Sequence, residues 1–320
     1  MRTKLFTVVS LIVLASMVLA ACGPQATATP QIIENTVVVG GTPQTVVVTA
    51  TPEVTQPAEF KSKDPTTFVW QTFGEPETLD PSLDYETAGG GVIDNVYDKL
   101  LWWDHTKKTV APMIATEVPT LENGGISADG MTYTFKIRTG VKFHDGSDMT
   151  PSDVAFSFQR GILQGGTSSP QWLFTEPVLG STAMNDITDQ LDPDGSKGLA
   201  DNREGLLKED AAALKATCQK VKDAIVPDDA AGTVTFHLAQ SWGPFLVTFA
   251  GGWGAIQSQK WVGANGGWDG SCDTWQNFYA MTSDEIGKTK VGTSGMGTGP
   301  YILDHWTQTE EIVLKANDNY

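Results

Sequence analysis

The hydrophobic pattern changes character three times along the chain. Arg2 and Lys4 precede a largely apolar run over residues 5–21, the pattern of a secretory signal. Residues 22–63 are dominated by Thr, Val, Pro and Ala, and the first Lys after Lys4 is Lys61. Thr36-Val-Val-Val39 recurs there as Thr45-Val-Val-Val48. Such a segment builds no core of its own and reads as an extended tether, the alternative being one or two edge strands paired with the folded part.

From residue 64 on, the pattern is that of a folded domain. Residues 66–72 are β-branched and aromatic and predict a short strand; residues 73–81, with two prolines, predict a loop. Val92, Val96 and Leu100, beside Ile93 and Tyr97, predict an amphipathic helix over 91–101. Tyr133, Phe135 and Ile137 alternate with polar residues as in a half-buried strand. Gly140 then turns the chain into a second strand with Val141 and Phe143, and Asp145-Gly146 predicts a tight turn. Thr150-Pro151-Ser152-Asp153 combines a capping hydroxyl, a first-turn proline and a capping-box acid, so a helix starts here, with Val154, Phe158 and Ile162 on one face. Leu207, Ala211, Leu214, Cys218 and Val221 predict another helix over 204–224. Val234, Phe236 and Leu238 predict a strand, residues 251–254 and 263–270 predict loops, and a turn at 297–301 leads into strands over 302–315. Helices and strands interleave without strict alternation, so the fold class is α/β or mixed α+β.

Composition narrows the function. With 320 residues there is room for two lobes. The 38 acidic residues outnumber the 21 Lys and Arg, for a net charge of −17, which argues against a nucleic-acid partner. Of three cysteines, Cys22 lies in Leu19-Ala-Ala-Cys-Gly23, which resembles a bacterial lipobox; this implies cleavage after residue 21 and lipidation of Cys22. Cys218 and Cys272 then form an even pair in an oxidising compartment. A disulfide would close a loop of about 55 residues and add ~3–4 kcal/mol in the chain-entropy model. Two separate buried thiols are the other reading, since spacing in sequence gives no Cα separation.

No catalytic or cofactor motif emerges. His105, His144, His237 and His305 have no metal-ligand spacing, no G-x-S-x-G elbow is present, and the Gly-rich run at 292–299 lacks the Lys of a phosphate loop. Asp192-Pro-Asp-Gly-Ser196 departs from the calcium-loop pattern. No cofactor and no metal are expected.

Six segments in order carry a resemblance. Glu77-Thr-Leu-Asp-Pro81, Val96-Tyr-Asp-Lys-Leu-Leu101, Pro112-Met-Ile-Ala-Thr116, Asp129-Gly-Met-Thr-Tyr-Thr-Phe-Lys-Ile-Arg138, the pair Val141-Lys-Phe-His-Asp-Gly146 and Pro151-Ser-Asp-Val-Ala-Phe-Ser-Phe-Gln-Arg160, and Gly297-Thr-Gly-Pro-Tyr301 through Asn317-Asp-Asn-Tyr320 are similar to the motifs of the extracytoplasmic solute-binding proteins of bacterial family 5, the peptide/nickel group that serves ABC importers. The resemblance covers about residues 66–320.

It implies a periplasmic-binding-protein-like two-lobe fold with an extra small lobe, here as an N-terminal part. Residues 64–87 and about 176–320 would form the hinge lobe, about 88–175 the small extra lobe, and the second ligand lobe would be absent. It also implies a monomeric, lipid-anchored protein outside the cytoplasm that closes on a peptide or other small solute and delivers it to a permease with ATPase subunits. The implied ligand contacts are Tyr85, Glu86 and Thr87, otherwise a plain turn before a helix; Gln171 or Trp172, where Trp stands in place of an expected Tyr; and Trp253, otherwise a core residue. Lys142, Phe143, Asp145, Gly146 and Asp153 are expected to be structural. Oligosaccharides and nickel complexes are alternative ligands within the family. A secreted hydrolase or an adhesion protein is the reading from another class.

Overall fold

The computed structural model describes residues 64–180 and 184–320 and the backbone of two strands nearer the N-terminus. The expected signal segment and Cys22 lie outside the described residues. The chain divides into two compact units, Met1–Trp70 and Gln71–Tyr320.

In the first unit, strand β1 (Ile32–Val39) pairs antiparallel with β2 (Thr42–Thr49), with Thr36 opposite Thr45 and Val39 opposite Thr42. The Thr-Val repeat therefore folds back on itself, where an extended tether or a strand added to the domain had been expected. β-Branched residues favour extended backbone, and Gly40-Gly41 stand between the strands in sequence. The strand expected over residues 66–72 does not form; Phe68, Val69 and Trp70 are 92%, 75% and 63% exposed. The pattern is that of a strand, but a strand needs a neighbouring backbone, and none pairs with these residues among those described.

The second unit opens on helix α1 (Thr87–Val96), which starts four residues earlier and ends five earlier than the apolar spacing predicts. Glu86 caps it, and Tyr97 turns extended (φ −118°, ψ 146°) to lead into β3 (Leu101–Asp104), which pairs with β4 (Thr109–Pro112). β5 (Thr132–Lys136) will be joined from far along the chain. Val141 and Phe143 form a narrow hairpin rather than a full strand: Met149 N–H donates to Val141 O and Phe143 N–H to Ser147 O, around the Asp145-Gly146 turn. Helix α2 (Pro151–Gln164) starts at Thr150 with the expected capping box to Asp153. Helix α3 (Trp172–Leu179) follows.

The helix expected over 204–224 is two: α4 (Arg203–Leu206) and α5 (Ala211–Ala224). The Asp210 carboxylate accepts from Ala213 N–H and starts a new helix there, leaving Leu207 48% exposed. β6 (Ile225–Asp228) and β7 (Thr233–His237) complete an antiparallel sheet of order β5-β7-β6. A last hairpin pairs β8 (Tyr301–Thr307) with β9 (Glu311–Ala316), with a bulge between Leu303 and His305.

The core is aromatic at its centre. Phe135 (β5), Phe158 (α2), Phe174 (α3), Phe236 (β7), Phe245 and Phe249 meet edge-on or tilted, with centroids 4.8–6.4 Å apart. Burying such rings, with the Leu, Ile, Val and Trp side chains around them, drives the folding of the unit. This cluster spans the expected lobe boundary near residue 175. β5 comes from one side of it and β7 from the other, and one apolar core continues from Leu100 to Val291. The segments on either side of residue 175 thus both contribute to one core.

Cys218, on α5, is bonded to Cys272, with Cα atoms 5.4 Å apart. Of the two readings left open by the sequence, the disulfide is the one the structure adopts. The unit is of mixed helix–strand class, as expected.

Candidate ligand-binding site

Three segments far apart in sequence converge at the start of α1. The first is the turn over residues 78–86. Asp80 organises it: Ser82 N–H donates to its carboxylate, and Leu83 and Asp84 N–H donate to its carbonyl. Leu79 N–H is tied in turn to Gly292 O. This leaves Tyr85 projecting into solvent, 54% exposed, immediately before the helix cap.

The second segment is the Gly-rich turn Gly252–Gly254. Trp253 donates its indole N–H to Thr248 O at 2.9 Å, and its ring lies on the backbone of Gly251. A Cβ at Gly251 would sit 2.2 Å from that ring, so only glycine allows the packing. The third segment is Ser169-Pro170-Gln171 at the start of α3. Ser169 Oγ donates to Ser82 O at 3.3 Å, and Gln171 Nε2 donates to Trp253 O at 3.4 Å.

The outcome is a small aromatic wall. Tyr85 and Trp253 meet edge to face, ring centroids 6.1 Å apart and planes at 83°. Thr87 is exposed on the first turn of α1, and Trp172 is partly exposed on the first turn of α3. The structure therefore brings Tyr85 and Trp253, residues expected separately, onto one surface. Two other expected contacts sit differently. Glu86 is the N-cap of α1, accepting Ala88 N–H (2.5 Å) and Gly89 N–H (2.6 Å), so its carboxylate is engaged with the helix. Gln171 is 2% exposed and lies against Gly161 of α2, where a Cβ would fall 2.3 Å from its Oε1. Gln171 thus sits between α2 and the Trp253 turn.

Nothing in the local sequence marks Asp84. It is 8% exposed, and its Oδ1 has no hydrogen-bond partner. Burial, then the neighbouring Glu86 and Asp80 carboxyls, push its carboxyl up to about 8. The available signal was an acid two residues before another acid at a helix start, a pattern too common to be diagnostic.

A separate open cavity of about 580 Å³ is lined by Asp98, Trp102, Met113, Arg138, Lys142 and Tyr320, among others. It includes none of the residues expected to contact ligand. Asp98 there accepts from Thr298 Oγ1 (2.9 Å) and the Tyr320 hydroxyl (3.2 Å), and burial holds its carboxyl above the usual range. Among the described residues, no group of three or more His, Cys, Asp or Glu is placed to hold a metal ion.

A family model for "Bacterial extracellular solute-binding proteins, family 5 Middle" matches residues 109–320. The chain belongs to this family. Family 5 binding proteins act outside the cytoplasm, and the motifs from Pro112 onward fall within the matched region. Over 259 residues the chain is 32% identical to di/tripeptide-binding protein 1 of Pseudomonas aeruginosa, covering 77% of this chain and 36% of that protein. Over 115 residues it is 36% identical to heme-binding protein A of Haemophilus influenzae, covering 34% and 20% respectively. Among solved structures, Listeria monocytogenes OppA bound to peptide aligns with a TM-score of 0.49 at 20% identity, over 76% of this chain and 37% of that one. The family 5 chain thus spans between 20% and 37% of the length of these relatives.

Proposed function

We propose that the chain is the substrate-binding component of an ABC importer, capturing short peptides outside the membrane and delivering them by lobe closure to a permease coupled to ATPase subunits. The family match over residues 109–320 carries this reading, and the 32% identity to a di/tripeptide-binding protein favours peptides as the solute. The wall formed by Tyr85 and Trp253 suits such a ligand. Aromatic faces pack against side chains of any sequence, while extended peptide backbones are held through their own N–H and C=O groups. Water-filled side-chain pockets then tolerate variety. Tyr85, Thr87, Trp172 and Trp253 are the proposed contacts, with Glu86 and Gln171 holding the loop and the turn in place. Residues 1–21 would direct export and lipidated Cys22 would hold the monomer at the membrane; no cofactor enters the reading.

Native mass spectrometry of the full-length protein purified from its own host tests the proposal. A ladder of bound masses matching short peptides is the expected result. A second reading, capture of a haem-type macrocycle, is favoured by the 36% identity to heme-binding protein A. It would give one bound mass and a Soret band. A bound oligosaccharide, or conversion of a substrate with nothing retained, would overturn the peptide reading.

A further inference from the structure

The Asp84 carboxyl is a buried group that the proposed contacts leave unused. Gly89, in the first turn of α1, shows what it faces. A Cβ at that glycine would lie 2.1 Å from Asp84 Oδ1 and 2.7 Å from Glu86 Oε1. The two oxygens therefore crowd over the same bare Cα. Glu86 is fixed there as the acceptor of Ala88 and Gly89 N–H, at the positive end of a ten-residue helix. Asp84 Oδ1 has no donor of its own. Two unprotonated carboxylates in this position would repel, whereas one proton between them gives a charge-assisted O–H···O⁻ bond and satisfies the orphaned oxygen.

We propose that Asp84 is a positioning residue of the ligand loop: one proton, shared between Asp84 and Glu86, holds Tyr85 against Trp253, and its loss releases Tyr85. Tyr85 lies between the two acids in sequence, so their bond closes the backbone on either side of the ring. Among the described residues, no Lys, Arg or His forms an ion pair with Asp84. Arg160, on α2, donates to both oxygens of Asp80, so its positive charge is committed to that acid and not to Asp84. The Gly252–Gly254 turn and the Ser169–Gln171 segment carry no charged side chain. The charged groups of β8 and β9 pair among themselves, Asp304 with His305 and Lys315, and His305 with Glu311. As the pH rises the proton passes to water, the pair becomes dianionic, and the two acids move apart.

The inference deepens the proposed ligand site and rests on it for its effect on binding, but not for the state of the loop. The test uses the full-length protein with ¹³C-labelled tyrosine, the Tyr85 ring signal being assigned by its disappearance in Tyr85→Phe. Between pH 6.5 and 9 that signal shifts in the wild type and stays in place in Asp84→Asn, whose amide donates to Glu86 at every pH. In parallel, calorimetry with a dipeptide mixture shows affinity falling at least fivefold in the wild type over this interval and less than twofold in Asp84→Asn. A wild-type ring signal that does not move, or one that moves equally in Asp84→Asn, overturns the proposal. If no peptide binds at either pH, the peptide reading fails while the ring signal still decides the role of Asp84. Should Asp84→Asn not fold, Glu86→Gln serves: its amide oxygen keeps one of the two cap bonds while its NH2 donates to the Asp84 carboxylate, which lowers the midpoint of the ring transition, and an unchanged midpoint overturns the proposal.

Discussion

Arg160 grips Asp80 with both ends of its guanidinium, Nη1 to Oδ1 at 2.6 Å and Nη2 to Oδ2 at 2.5 Å, and neither side chain is exposed at all. Nη1 also donates to Ser82 Oγ (2.8 Å) and Gln257 Oε1 (2.6 Å). Two of the motifs read from the sequence, Glu77–Pro81 and Pro151–Arg160, are thus halves of one ion pair. It fastens the end of α2 beneath the loop that presents Tyr85.

Removing one partner of that pair leaves a buried charge uncompensated, at a cost of about 3–5 kcal/mol. Arg160→Met and Asp80→Leu are each expected to lower the denaturation free energy by roughly that amount. The double variant should recover much of the loss, because apolar groups of similar volume need no compensation. Urea unfolding of the three variants measures this. Additive losses in the double variant would contradict the pairing.

Stability should depend on pH through Asp84. Its carboxyl is raised in the folded chain to about 8 from an ordinary 3.8, so the native state binds more protons than the unfolded state between these values. Stability therefore declines as pH rises through that window and levels off above it. Asp84→Asn removes this contribution, and thermal unfolding from pH 4 to 9 should show a shallower decline than in the wild type.

The aromatic wall predicts a separation between binding and stability. Tyr85→Ala deletes a half-exposed ring and should leave the unfolding temperature nearly unchanged while weakening peptide binding about tenfold, a loss of ~1.4 kcal/mol. Gly251→Ala should weaken binding similarly without touching a ligand contact, because its methyl displaces the Trp253 ring. Calorimetric titration of the full-length variants measures both.

Reduction of Cys218–Cys272, which spans 54 positions, should cost about 2–4 kcal/mol by freeing the unfolded chain. The bond joins α5 to the loop where Lys222 donates to Gly270 O and stands 5.7 Å from the Trp268 ring centre. Unfolding with and without reductant measures the difference, and the Trp268 environment should change on reduction.

Much of the local structure was legible. Thr150 and Asp153 announced the start of α2, and the alternation of Tyr133 and Phe135, and of Val234 and Phe236, announced β5 and β7, because capping and strand burial depend on residues close in sequence. The misjudged boundaries have causes a short window does not contain. Glu86 draws α1 four residues forward, Asp210 restarts a helix that apolar spacing ran through, and residues 66–72 have a strand pattern but no paired strand among the described residues. Of the expected site, Tyr85 and Trp253 were each legible as candidates, whereas the roles of Glu86 and Gln171 were not. A carboxylate at a helix start and an amide near a proline look alike whether they face a ligand or the helix.

The sequence by itself determined the interleaved helix–strand class, the family motifs and the absence of a recognisable catalytic pattern, all consequences of residue type at short spacing. Only the tertiary structure decided that β5 and β7 share one sheet, that Asp80 pairs with Arg160, that Tyr85 meets Trp253, and that Asp84 is buried beside Glu86. These depend on which surfaces the aromatic core brings together and on the low dielectric it creates, and neither is written in the local order of residues.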